Sequence, residues 1–98
     1  MQNPFFKLYI TGQTPRSERA IANLKLIGDE LLNGEFEYIV IDVLEQPHLA
    51  EADRVIVTPT LIKLRPAPTR RVLGDLTDTA RVLSVLNLHQ RSAAGDAQ

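Results

Sequence analysis

The strongest constraint on the fold is a strand–helix–strand pattern that takes up the first half of the chain. Phe5-Phe6-Lys7-Leu8-Tyr9-Ile10-Thr11 is rich in aromatic and β-branched residues and stops at Gly12, as a short buried strand does. Thr14-Pro15 opens a helix, with Thr14 as N-cap and Pro15 at the first helical position, where a missing N–H costs little. Ala20, Ile21, Leu24, Ile27 and Leu31 then recur at spacings of three and four, which puts them on one helix face. Asn33-Gly34 stops the helix. A second strand follows from Phe36 to Val43, and its continuously apolar centre, Tyr38-Ile39-Val40-Ile41, suits a strand covered on both faces. Together these make a βαβ unit with a parallel strand pair.

The second half is less regular. Pro47 to Arg54 reads as a short helix, and Val55-Ile56-Val57 either finishes it or begins a strand. Pro59 cannot donate to a ladder and pushes Thr58 into extended geometry. Thr60-Leu61-Ile62-Lys63-Leu64 has strand composition, Pro66-Ala67-Pro68 is a turn, and Arg70-Arg71-Val72-Leu73 is a short strand ending at Gly74. Asp75 or Thr77 caps a last helix carrying Leu76, Ala80, Leu83 and Leu86. The order is βαβαββα with a proline, often cis in such positions, directly before the third strand. That is the layout of the thioredoxin-like α/β class, in one domain spanning 1–98 with flexible ends at 1–4 and 91–98.

Composition narrows the chemistry. The chain has 98 residues, 11 Lys and Arg against 12 Asp and Glu, and no Cys. Balanced charge argues against a broad nucleic-acid footprint. Without Cys there is no disulfide, no thiolate nucleophile and no Cys-rich zinc site. With neither a signal-peptide h-region nor an apolar run near the ~20 residues of a spanning helix, the expectation is a soluble, cytoplasmic protein without a membrane partner.

The first strand-to-helix turn, Thr11-Gly12-Gln13-Thr14-Pro15-Arg16-Ser17, is where a thioredoxin-like chain carries its reactive group. Thr11 and Ser17 offer hydroxyls for a glutathione-transferase-like role, but strand-end and capping functions account for them as well. His48 and His89 lack ligand spacing, Asp75 and Asp78 suit a helix N-terminus, and no phosphate-binding glycine motif occurs. No cofactor, metal or catalytic residue is therefore assigned. Lys63, Arg65, Arg70 and Arg71 flank one turn on neighbouring strands. Such residues protect sheet edges, and they equally suit an acidic protein partner.

Lys7-Leu8-Tyr9-Ile10-Thr11-Gly12-Gln13-Thr14-Pro15, and above all Val40 to Asp78 with its "TPTL" and "RRVLGDLTD" stretches, resemble the KaiB family of circadian clock proteins. The resemblance runs from about Lys7 to Leu83. It implies a non-enzymatic regulator that docks on a KaiC-like ATPase and modulates its phosphorylation state. Further implied partners are KaiA, a SasA-like histidine kinase and copies of the chain itself, as a dimer or tetramer. It also implies two folds of one sequence, the alternative KaiB ground state differing in the second half. Carried over by position, Arg19, Arg54, Lys63, Arg70 and Arg71 are partner-binding residues, and Pro59, Pro66 and Pro68 belong to the rearranging half. Val85 stands where cyanobacterial members commonly have Gly, and Asn87 where they have Asp; Pro4 and Gln90 replace tyrosines. Losing a helix-interior Gly favours a helical last segment, and so the thioredoxin-like state. The other readings are a glutathione-binding or transferase-like protein on the same scaffold, and a free-standing SasA-type sensor domain.

Overall fold

The computed structural model describes residues 3–88. In chain order the elements are β1 (Phe5–Ile10), α1 (Pro15–Leu31), β2 (Glu37–Asp42), α2 (Pro47–Ala52), β3 (Thr60–Arg65), β4 (Arg70–Leu73) and α3 (Thr79–Leu86). One four-stranded sheet has the order β2-β1-β3-β4, with β1 and β2 parallel and the other pairs antiparallel.

Alternation along β1 divides the core in two. Phe6, Leu8 and Ile10 point to the face covered by α1 and α3, where they meet Ala20, Leu24, Ile27, Val82 and Leu86. Tyr9 points to the other face, where it packs with Ile41, Ile62 and Ala50 of α2. The α1 stripe is the one the spacing predicts. Thr14 caps the helix by accepting from the Ser17 amide, and past its end Asn33 and Gly34 take positive φ, with the Gly34 amide bonded to the Gly28 carbonyl.

Four expectations are corrected. β2 is a sheet edge, so Ile39 and Val40 stay 43% and 38% exposed instead of being covered on both faces. A continuous apolar run does not reveal that the strand has a neighbour on one side only. Val55-Ile56-Val57 belongs to neither helix nor strand, and the Val55 amide closes onto the Ala50 carbonyl while Ile56 projects outward. Asp78, not Asp75 or Thr77, caps α3 through the Arg81 amide. The Asp75 carboxylate is already bonded to Thr77 and Arg19, so Leu76 enters the core from the loop before the helix, and Ala80 faces outward. Finally, Pro4 is fully buried and its carbonyl accepts from the Glu37 amide, which ties the chain down before Phe5. The expected flexible tail from Arg91, like His89 and Gln90, lies outside the described residues.

Asn87 ends α3 in the left-handed conformation (φ 59°), its amide bonded to the Leu83 and Ser84 carbonyls. Asn tolerates that geometry better than other residues with a Cβ. Asn87→Ala should therefore cost about 1 kcal/mol and Asn87→Gly should be neutral or stabilising, as thermal unfolding would read. Val85 lies on the outer side of the same helix.

Candidate functional site

In an α/β sheet, ligands collect beyond the carboxyl ends of the parallel strands. Here that end is built from Thr11 to Ser17 after β1, Leu44 after β2, the Ile56–Pro59 segment before β3, and Gly74 after β4. These pieces are fastened to one another. The Thr11 and Thr58 hydroxyls bond directly, the Gly12 and Leu44 amides both donate to the Asp42 carboxylate, and the Gly74 amide donates to the Pro59 carbonyl at 2.8 Å. The Thr58–Pro59 peptide is cis and Pro59 is buried.

Thr14 and Ser17 stand three residues apart across the start of α1. The Thr14 hydroxyl donates to Ser17 Oγ at 3.0 Å, and buried Ser17 donates in turn to the Thr11 carbonyl. Every hydrogen bond of these hydroxyls thus goes to another hydroxyl or to the backbone. The arrangement is a polar clamp that ties the loop to the start of α1.

The surface of this end is apolar with basic flanks. Ile56 is 92% exposed and Leu44 68%, with Val57 also exposed. Arg16 lies beside Gly74, and Arg54 follows α2 with its side chain in solvent. Arg19, one turn into α1, is ion-paired at 3.0 Å with Asp75, whose carboxyl the Thr77 hydroxyl and Arg19 hold down at about 2.

The five basic positions carried over from the family do not form one patch. Arg19 and Arg54 flank the site end. Arg70 sits opposite Lys63 at the far end of β4, next to the exposed turn of Pro66 and Pro68. Arg71, the next residue along the strand, necessarily points to the other face. There its guanidinium donates to the carbonyls of Asp53 at 2.8 Å and Arg54 at 3.3 Å, closing the end of α2. Lys63 is 0% exposed and lies inside the sheet–helix core, so it presents nothing to a partner in this fold. Arg65, also on that turn, is committed to the Glu37 carboxylate and the Phe5 ring.

Asp53 completes the inner side. Its carboxylate receives the Tyr9 hydroxyl and the Lys7 ammonium, the latter at 3.0 Å. Those bonds hold the Asp53 carboxyl below its usual range, and burial together with the same carboxylate pushes the Tyr9 phenol up. Sequence reading passed over Ile56, Leu44 and Asp53. An apolar triplet that fits neither helical nor strand period was the visible sign of Ile56; Asp53 left no sign, because its partners are 44 and 46 residues away.

The KaiB domain model matches residues 7–88. The chain belongs to the KaiB family. It is 50% identical over 82 residues to the circadian clock oscillator protein KaiB of Prochlorococcus marinus subsp. pastoris, covering 84% of this chain and 77% of that one. With the protein of the same name from Nostoc punctiforme the identity is 46% over 91 residues, covering 92% and 88%. Among solved structures, the N-terminal domain of Synechococcus elongatus SasA superposes with a TM-score of 0.73 at 28% identity, covering 89% of this chain and 86% of that one. Mitochondrial thioredoxin 3 of Saccharomyces cerevisiae superposes with a TM-score of 0.67 at 18% identity, covering 90% and 81%. The fold is thioredoxin-like, as the element order predicts. Within it, the hydroxyl pair Thr14 and Ser17 stands at the start of the first helix.

Proposed function

We propose that this chain is a circadian-clock regulator without catalytic activity of its own, which docks on a KaiC-like ATPase and modulates its phosphorylation state. The observation that carries the reading is the exposed apolar segment Ile56-Val57 with Leu44, set beside Arg54 and Arg16 at an end of the sheet whose hydroxyls are internally consumed. Exposed apolar anchors ringed by cations fit a protein partner with an apolar contact and an acidic rim. Family membership supports a KaiC-like ATPase as that partner. A SasA-like histidine kinase sensor, sharing the fold, would compete for it, and a KaiA-like protein and a second copy of the chain are the other partners the family points to. A cytoplasmic location accords with this role, and no helix among the described residues is long and apolar enough to cross a membrane.

Titration against the KaiC-like ATPase of the same organism, with ATP and with ADP, tests the reading. Ile56→Asp should weaken binding roughly tenfold or more while leaving the melting temperature unchanged, because the side chain is already in water. Arg54→Glu should weaken binding and flatten its salt dependence. Unchanged affinity in Ile56→Asp would remove this face from the interface. Shifts around Thr58 and Pro59 on glutathione titration would instead favour the glutathione-binding alternative.

A further inference from the structure

Lys63 is the one described residue with a buried side-chain polar atom that lacks a hydrogen-bond partner. It lies near the middle of β3, an inner strand, in register with Phe6 of β1 on one side and Arg70 of β4 on the other. On its face of the sheet α1 contributes Ala20, Leu24 and Ile27, and α3 contributes Val82 and Leu86. β1 contributes Phe6 and Leu8, and among the described residues the charge that acts on Lys63 is Arg70, which is of like sign. A buried ammonium normally has a carboxylate or several carbonyls around it, since removing its hydration without replacement is among the largest penalties a fold can carry.

We propose that Lys63 is a built-in destabiliser of the β3–β4 half of the sheet, an enclosed amine with no acceptor whose protonation state sets how firmly β3 and β4 are held on β1. The docking reading above is not needed for this, and the test requires no partner. Burial and the Arg70 charge both favour the neutral amine, lowering the Lys63 pKa from its ordinary 10.5. The sign follows. Below the lowered folded value the unfolded and folded chains both carry the proton, and the folded one bears the full penalty. As pH climbs toward 10.5 the folded chain sheds the proton first, the penalty fades, and stability rises.

Lys63→Met in the full chain isolates the effect, because it keeps an unbranched apolar side chain as far as Cε, with sulfur in place of Cδ, and removes the amine. At about pH 7 the variant's folding constant should be about tenfold or more above wild type, and amide exchange in β3 and β4 should slow by a similar factor. The gap between the two proteins should narrow as pH climbs toward 10.5. Lys63→Arg, which cannot shed its charge, should be less stable than wild type, with a deficit that widens with pH. Side-chain NMR should place the Lys63 titration below 10.5. A Lys63→Met chain no more stable than wild type, a pH-independent gap, or a Lys63 titration at or above 10.5 would overturn the proposal.

Discussion

Asp53→Ala should lower the unfolding free energy by about 2–3 kcal/mol, a fall of roughly 10–20 °C in melting temperature for a domain of this size. One carboxylate there serves the Tyr9 hydroxyl and the Lys7 ammonium, and the carbonyl of the same residue takes the Arg71 guanidinium. Removing it loosens α2 from β1. Lys7 is partly exposed and regains water, whereas the hydroxyl of fully buried Tyr9 is left with only the Leu49 carbonyl. Asp53→Asn keeps an acceptor for Tyr9 and loses the charge, so it should cost about half as much. The pH dependence separates the two contributions. Because the folded Asp53 carboxyl lies below its ordinary 3.8, its stabilisation is complete above that value and disappears as pH falls through the folded one. The gap between wild type and Asp53→Asn should therefore close in acid. Equal urea-unfolding curves for wild type and Asp53→Ala at neutral pH would show that α2 is held by apolar contacts alone.

Gly28→Ala should destabilise the protein by about 1–2 kcal/mol, against the helix-propensity rule that favours Ala by about 1. A methyl at this α1 position would overlap the Phe36 ring well inside van der Waals contact. Phe36 cannot simply swing aside, being stacked on Tyr38 at 5.6 Å and tilted against Phe6 at 6.4 Å. In a Phe36→Ala background the same substitution should become neutral or stabilising, and the double-mutant cycle measures the clash directly. A Gly28→Ala chain that melts above wild type would mean that the ring relaxes at no cost.

The basic residues show how far the sequence could be read. Arg70 and Arg71 are adjacent in sequence and look like one feature. Strand alternation sends them to opposite faces, one in solvent at the turn and the other onto the carbonyls after α2. Lys63 looks like a surface cation of the same turn, and its β3 position between β1 and β4 encloses it. Leu44 was hidden for the opposite reason: an apolar residue just past a strand reads as core, and only the tertiary structure leaves it exposed, as it does Ile56 in its aperiodic triplet.

Local physics wrote the rest plainly into the chain. The α1 stripe, its Thr14 cap and Pro15 start, the strand composition of β1 and β3, the proline before β3 and the absence of Cys depend on neighbours within a few residues, and they determined both the thioredoxin-like order and the loss of thiol chemistry. Family-specific residues between Val40 and Asp78 added the KaiB relationship. What tertiary structure alone decided is which side each strand shows and which partner each charge meets. β2 became an edge, Asp53 a junction of α2 with β1 and β4, and Lys63 a buried cation without an acceptor. Those outcomes rest on contacts between separate elements, such as those of Lys7 and Tyr9 with Asp53, whose pairing depends on the strand order β2-β1-β3-β4 and not on any local pattern.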